Sequence, residues 1–260
     1  MENKWVSSSY LPKPDAKAIL FCLPFAGGSA SFYKRWSALL PDIDVVAIQL
    51  PGRDERLFEQ PFLHVHNLIE SLAPQILPML ERPFSFMGYS MGGIIAYELA
   101  YYLQNLHGLY SEHLFIGACR SPHSNGWLSL PRSYSDDDIM TKLRDLGGTP
   151  KEILEQPELL NIILPTIRAD FMLCSNYKPR VNFLKLRSSI HVFGGMQDAT
   201  VSDQDAAQWA AHTDNRFAYK PYEGGHFFIH DYLSDIVQSI HVSMLANAQN
   251  DLNRRREFTF

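Results

Sequence analysis

Short apolar runs alternate with amphipathic stretches along the first half of the chain. AILFCLP (18–24), VVAIQLPG (45–52), PFSFMGYS (83–90) and HLFIGACR (113–120) are continuous apolar runs ended by Pro, Gly or polar residues. Runs of that length without polar alternation read as strands buried on both faces. Between them, SFYKRWSALL (31–40), LHVHNLIESLAPQILPML (63–80) and GGIIAYELAYYLQNL (92–106) carry apolar residues at helical spacing. Pro74 and Pro78 are expected to break or kink the second of these. Strand alternating with helix predicts βαβ units and a mostly parallel sheet.

The rhythm stops near Ser121. From there to Arg187 no segment reads as a strand. DDDIMTKLRDLGG (136–148) predicts a helix ended by Gly-Gly, and PELLNIILPTIRADFMLCSNY (157–177) predicts one or two helices broken near Pro165. The alternation resumes with strand SSIHVFGG (188–195), helix SDQDAAQWAAHT (202–213), strand RFAYKPY (216–222) and a helix from Phe228 to Ala246. The tail, residues 250–260, reads as frayed. The expected organisation is an α/β core from 1–120 and 188–260, interrupted by a helical insertion at 121–187.

Length and composition narrow the function classes. The 260 residues fit one large domain, and 46% hydrophobic with 20% charged residues is ordinary for a globular protein. Lys and Arg total 23 against 28 Asp and Glu, a net charge of −5 that disfavours gripping nucleic acid through its phosphates. Cys22, Cys119 and Cys174 lie in apolar settings with no C-x-x-C, so neither a disulfide framework nor a zinc cluster is expected. The N-terminal MENKWVSSSYLPKPDAK has no apolar core suited to a signal peptide, and no apolar run reaches the ~20 residues that span a bilayer. The expectation is a cytoplasmic protein without membrane attachment.

The sharpest chemical signal is Gly88-Tyr89-Ser90-Met91-Gly92, a G-x-S-x-G between a predicted strand and a predicted helix. In that context the serine sits on a strained turn, lifted above the sheet edge at a helix N-terminus. A serine hydroxyl needs a base, and in this arrangement the acid and then the histidine follow it in sequence. His226 follows Glu223-Gly224-Gly225 in a loop after the last predicted strand, where an imidazole can reach Ser90. His230 and His241 are expected inside the final helix, and His212 at a helix end. Asp198 lies in Gly194-Gly195-Met196-Gln197-Asp198, just past strand 188–193, and is the candidate partner of the imidazole. Asp203 and Asp205 suit the start of the next helix, and Asp136 to Asp138 a solvated helix start. An oxyanion hole needs two N–H donors. Met91, the residue after the nucleophile, offers one. The loop Pro24-Phe25-Ala26-Gly27-Gly28 offers the other, with Ala26 favoured and Phe25 next.

Taken together, LFCLPFAGGSASFY (20–33), QLPGRDERL (49–57), FMGYSMGG (86–93), LGGTP (146–150), LLNIILPTIRADF (159–171) and EGGHFF (223–228) resemble the type II thioesterases that accompany nonribosomal peptide and polyketide synthetases. Animal fatty-acid-synthase thioesterases are more distant relatives. The resemblance implies an α/β-hydrolase fold with a helical lid at 121–187. It implies hydrolysis of acyl groups from the phosphopantetheine thiol of acyl or peptidyl carrier proteins, clearing misprimed or stalled synthetases. Carried over by position, Ser90 is the nucleophile, Asp198 the acid and His226 the base. Phe25, Gly27 and Phe227 become candidate substrate contacts. No cofactor or metal is implied, the substrate being carried on the partner protein, and a monomer acting in trans is expected. Two departures bear on pocket shape: Phe25, where relatives often have His or Tyr, and GGMQDATV, where Pro is common after the Asp.

Leu160, Ile163, Leu164, Ile167, Phe171 and Met172 fall at helical spacing and suit an apolar acyl chamber or ordinary core. Arg168 and Asp170 are placed to pair within the insertion. Arg53 and Arg56 are expected on a solvated surface, the alternative being a face toward an acidic carrier domain. A carboxylesterase or lipase of the same fold, and a noncatalytic carrier-binding module, are the competing readings. The triad does not by itself separate oxygen esters from thioesters.

Overall fold

Each strand that forms the sheet divides its side chains between two cores. On β1 (Ala18–Leu23), Ile19, Phe21 and Leu23 face one side while Ala18, Leu20 and Cys22 face the other. On β4 (His113–Gly117), Leu114 and Ile116 join the first core and Phe115 the second. This two-residue period with both sets apolar is what a sheet sandwiched by helices demands. The computed structural model describes residues 3–257, with side chains through Ala246.

Six strands pair in parallel in the order β2-β1-β3-β4-β5-β6, where β2 is Ile43–Ala47, β3 Phe84–Tyr89, β5 Ser189–Gly195 and β6 Phe217–Tyr222. Helices α1 (Trp36–Leu39) and α8 (Leu233–Glu257) cover one face, where Trp36, Ile236, Ile240 and Met244 are fully or almost fully buried. The other face is covered by α2 (Val65–Ile76) and α3 (Met91–His107). The sheet is parallel and flanked by helices, as the strand–helix alternation predicts, and it suits the α/β-hydrolase fold that the family resemblance implies. The chain leaves β1 toward β2 on one side and then returns to place β3 on the other. The carboxyl ends of β1 and β3 therefore border a topological switch point, where open α/β sheets form their ligand crevice.

The segment between β4 and β5 is helical. It contains α4 (Asp136–Leu146), α5 (Lys151–Leu154) and α6 (Pro157–Ser175), which share a small core of Tyr134, Ile139, Leu143, Leu164, Ile167 and Phe171. A capping box between Ser135 and Asp138 starts α4, and Gly147 in the left-handed conformation ends it.

Several local expectations are corrected. Pro165 does not break α6, which runs unbroken through it. An interior proline costs about 3 kcal/mol, but the helix is held on both sides of it by Leu164, Ile167 and Phe171 in the insertion core. Pro74 likewise lies inside α2, and only at Leu77 does the chain tighten to a 3₁₀ turn. The helix expected over 202–213 is a short α7 (Asp203–Ala207) continued as a 3₁₀ turn. Residues 228–230 form a separate 3₁₀ turn, so His230 lies before α8 rather than in it. Arg53 and Arg56 are buried, at 7% and 5% exposure, instead of solvated. The Arg56 guanidinium lies 4.3 Å over the Trp5 ring and donates to the Gln49 carbonyl at 2.8 Å. Arg168 pairs with Asp136, and Asp170 pairs with Arg53, not with Arg168. The backbone of α8 continues to Glu257, while 258–260 and the side chains beyond Ala246 lie outside the described residues.

A Cβ on Gly92 would run into the Leu23 carbonyl oxygen at the end of β1. Gly92→Ala should therefore lower stability by about 1–3 kcal/mol, the usual cost of overpacking, read as a fall in the urea midpoint. Three histidines, His113 and His212 buried and His191 half-buried, set an acid limit. Burial holds His113, His191 and His212 down from 6.5 to about 4, with His191 also pressing on His113 and His123 on His212. The unfolded chain takes up these protons near 6.5 and the folded chain only near 4. Between those values the unfolded state binds more protons, so stability is full above the upper one and declines steadily toward the lower. Thermal midpoints measured across this range should fall with pH, and His191→Phe should flatten the slope.

Candidate active site

The turn after β3 is built by what glycine lacks. A Cβ on Gly88 would collide with the Gly92 carbonyl oxygen, so β3 and the first turn of α3 approach closely because position 88 is glycine, while glycine at 92 lets the same turn pack on the end of β1. Ser90 between them takes φ 52° and ψ −118°, a conformation rare for a residue with a side chain. It is held by its N–H donating to the Gly117 carbonyl at 2.8 Å and its carbonyl accepting from Gly93 at 2.9 Å. The side chain stands at the N-terminus of α3, above the carboxyl ends of the strands.

The two loops that face it come from β5 and β6. Met196 N–H donates to the Tyr222 carbonyl and Gln197 N–H to the Gly224 carbonyl, so the loops are zipped together. His226 Nε2 lies 2.9 Å from Ser90 Oγ, and His226 Nδ1 lies 2.7 Å from Asp198 Oδ2. A carboxylate only accepts, so Nδ1 carries the proton and Nε2 is left to accept from the serine hydroxyl. Both side chains are shielded, at 6% exposure for His226 and 1% for Asp198. Burial pushes the Asp198 carboxyl up. The hydrogen bond and charge of His226 and the donors of Thr200 outweigh it and leave the group below the usual 3.8. The acid therefore stays ionised while largely out of water.

The loop after β1 closes the third side. Gly28 N–H donates to the Phe25 carbonyl at 2.9 Å and Gly27 takes φ 73°, a tight turn that only glycine adopts freely. Gly27 N–H donates to Asp170 Oδ2 at 2.8 Å and so is occupied. Among the described residues no acceptor takes the N–H of Ala26 or of Met91. Those two are the donors the sequence favours.

Two cavities meet at Ser90 and His226. One, of about 410 Å³, runs between the 25–29 loop and the insertion, where Phe25, Ala26, Gly27 and Phe227 face Ile163, Ile167 and Phe171. The other, of about 110 Å³, is bordered by Met91, Cys119, Trp127, Tyr134 and Cys174. Of the insertion residues singled out in the sequence, Ile163, Ile167 and Phe171 line the larger cavity, while Leu160, Leu164 and Met172 pack in the insertion core. Phe227 stacks on Tyr89, and its ring fills the space where a Cβ on Gly148 would lie, which brings the LGGTP loop over the site.

Three features escaped sequence reasoning. Thr200 donates its hydroxyl to Asp198 Oδ1 at 2.7 Å and its N–H to the same oxygen at 2.8 Å, and its Oγ1 is 3.1 Å from His226 Nδ1. The D-x-T spacing of an Asx turn was the available signal. Tyr89, buried, donates to the His226 carbonyl at 2.5 Å and so fixes the histidine loop from the Ser90 side. The Arg53–Asp170 pair joins segments more than a hundred positions apart, and no local pattern announces it. Among the described residues no group of three His, Cys, Asp or Glu is arranged to hold a metal ion.

Comparison with known proteins identifies the family. A family model described as thioesterase domain matches residues 18–244. The gramicidin S biosynthesis protein GrsT of Aneurinibacillus migulanus is 34% identical over 237 residues, 91% of this chain and 92% of its own length. The linear gramicidin dehydrogenase LgrE of Brevibacillus parabrevis is 35% identical over 232 residues, 88% of each chain. Among solved structures, the type II thioesterase BorB from the borrelidin biosynthetic cluster superposes with a TM-score of 0.81 at 33% identity, covering 92% of this chain and 97% of BorB. With the family model spanning most of its length, a relative above 30% identity aligned over nine-tenths of both chains and a superposition on BorB over most of both chains, the chain belongs to the thioesterase domain family of the α/β-hydrolase fold.

Proposed function

We propose that this protein is a type II, editing thioesterase. It releases acyl groups from the phosphopantetheine thiol of acyl or peptidyl carrier proteins serving a nonribosomal peptide or polyketide synthetase. The single observation that carries the reading is the unbroken chain of hydrogen bonds from Asp198 through His226 to Ser90, in a member of the thioesterase family.

The proton path follows from the distances. His226 Nε2 takes the Ser90 hydroxyl proton as Oγ attacks the thioester carbonyl. The carbonyl oxygen becomes an oxyanion between the N–H groups of Met91 and Ala26, each such donor contributing ~10²–10³ in rate. Collapse breaks the C–S bond, and the imidazolium returns its proton to the departing pantetheine sulfur. A water then attacks the acyl-serine, giving its proton to His226 and then to Ser90 Oγ, and the free acid leaves. Asp198 holds the imidazole and stabilises its cation throughout. Water and side chains supply every step, so no cofactor is required.

Residues 121–187 act as the lid in this reading, screening the acyl-serine from bulk water. The partner is the carrier protein that presents the thioester, met by the chain as a monomer in trans. The dehydrogenase activity that LgrE's name denotes is not carried to this chain, whose convergent groups are a nucleophile, a base and an acid. Among the described residues no helix is long and apolar enough to cross a membrane. The test is hydrolysis of a panel of acyl carrier proteins beside acyl-coenzyme A and matched oxygen esters. Release from carrier thioesters in preference to oxygen esters is expected. Good turnover of oxygen esters with inert carrier thioesters would make the protein a carboxylesterase instead.

A further inference from the structure

One buried ion pair beside the site takes no part in the proton relay. Arg53 closes the Pro-Gly-Arg after β2, and Asp170 lies on α6. They are 7% and 2% exposed and meet through two parallel hydrogen bonds of 2.8 Å. Both also hold the oxyanion loop. Asp170 Oδ2 accepts the Gly27 N–H at 2.8 Å, and Arg53 Nη1 donates to the Gly28 carbonyl at 2.9 Å. Consecutive glycines are thus gripped by opposite charges, one at an N–H and one at a carbonyl. Thr166, one turn before Asp170, donates to the Gly52 carbonyl at 2.5 Å and ties the same helix to the Pro-Gly-Arg segment.

Stability alone does not call for this pair. Desolvating two charges costs several kcal/mol per ion, and well-packed apolar replacements of such pairs are often neutral or stabilising. What the pair supplies is geometry. The glycines at 27 and 28 give the loop wide conformational freedom, whereas a donor for a developing oxyanion must be held within about 0.5 Å. With Gly27 N–H committed to Asp170, the preceding N–H of Ala26 is the one left for substrate. Arg53 also neutralises a carboxylate that would otherwise face the developing oxyanion across one peptide unit.

We propose that Arg53 and Asp170 are positioning residues for the oxyanion loop, holding the Ala26 N–H toward Ser90 and fixing the loop to lid helix α6. This rests on the reading of Ser90 as nucleophile. It makes α6 part of the catalytic frame, so that movement of the lid over the larger cavity falls to α4 and α5.

The experiment compares wild type with Arg53→Met, Asp170→Asn and the apolar double variant Arg53→Met/Asp170→Leu. Each is assayed with an acyl-pantetheine thioester for kcat and KM, and with a short alkyl boronic acid that forms a tetrahedral adduct on Ser90. In the double variant kcat is expected to fall about 10²-fold with KM nearly unchanged, and boronate affinity to fall in parallel. The urea midpoint should stay near that of wild type. Arg53→Met, which strands the carboxylate, should be worse than the double variant in both readouts. Asp170→Asn, which keeps an acceptor for Gly27, should recover part of the loss. A folded double variant with kcat and boronate affinity both within about threefold of wild type overturns the proposal. Should the double variant not fold, hydrogen exchange at the Gly27 amide of wild type decides: protection supports the clamp, and exchange at the rate of a free loop overturns it. If wild type cleaves no carrier thioester but Asp170→Asn still weakens boronate binding, the reaction reading fails and the positioning role stands.

Discussion

Ser90→Ala should lower kcat on a carrier-bound acyl thioester by roughly 10⁴–10⁶-fold, the scale found when a serine hydrolase loses its nucleophile. Two losses combine. The hydroxyl that accepts the acyl group is gone, and His226 Nε2 loses its partner at 2.9 Å. What remains is direct attack by water, assisted by the N–H groups of Met91 and Ala26. The variant should fold, because alanine meets the same strained φ of 52° that serine already tolerates there, and the Gly117 and Gly93 hydrogen bonds are to backbone. KM should change little, since Ser90 is one small side chain among the many residues that line the two cavities, and only its hydroxyl is removed. Single-turnover mass spectrometry gives the check: wild type carries an acyl adduct on the Gly88–Gly92 turn and the variant carries none. His226→Ala should cost about as much, and the double variant scarcely more, because residues acting as a unit are not additive. A Ser90→Ala protein that keeps a hundredth of wild-type turnover would remove the acyl-serine from the mechanism.

The parts of this site that were legible in sequence are those fixed by local backbone geometry. Ser90 is announced because a sharp strand-to-helix turn needs Gly88 and Gly92 at fixed offsets. Asp198 and His226 are announced because a loop at the carboxyl end of a buried strand is where catalytic side chains reach the sheet edge. The alternation of strands and helices announced the sheet, since the central strands are apolar on both faces for the same reason, whereas the edge strand β6 exposes Ala218 and Lys220. What stayed hidden is long-range pairing of polar groups. A buried arginine looks like a surface arginine until its partner is known, and the partner of Arg53 lies 117 positions away. The run through Pro165 was missed for a related reason: a breaker signal is local, while the packing of Leu164, Ile167 and Phe171 that overrides it is tertiary.

Asp198→Asn should be the most informative single change, costing on the order of 10⁴ in kcat while leaving the fold intact. An asparagine could in principle turn its amide oxygen toward His226 and spare the tautomer. Thr200 forbids this. Its N–H and hydroxyl both donate to Asp198 Oδ1, at 2.8 and 2.7 Å, and Val201 N–H approaches the same atom at 3.3 Å. An amide nitrogen at that position would face the N–H groups of Thr200 and Val201, which only donate, and would lose the bond from the Thr200 hydroxyl, so the oxygen must stay there and the NH₂ must point at His226 Nδ1. Nδ1 then accepts, the ring proton moves to Nε2, and Nε2 can no longer take the proton of Ser90. Nitrogen-15 spectra of the histidine ring should show the proton on Nδ1 in wild type and on Nε2 in the variant. Thr200→Val removes one of the three donors and should cost only about tenfold, with the wild-type tautomer kept. It also separates the two contributions of the acid with pH. Because the Asp198 carboxyl lies below its ordinary value, its charge persists as pH falls past 3.8 and is lost only on passing the lowered value. Thr200→Val, with fewer hydrogen bonds to the carboxylate, should move that loss upward in pH. An Asp198→Asn enzyme within about tenfold of wild type, or one whose ring proton stays on Nδ1, would mean that Asp198 does not set the tautomer and that Thr200 does not hold its orientation.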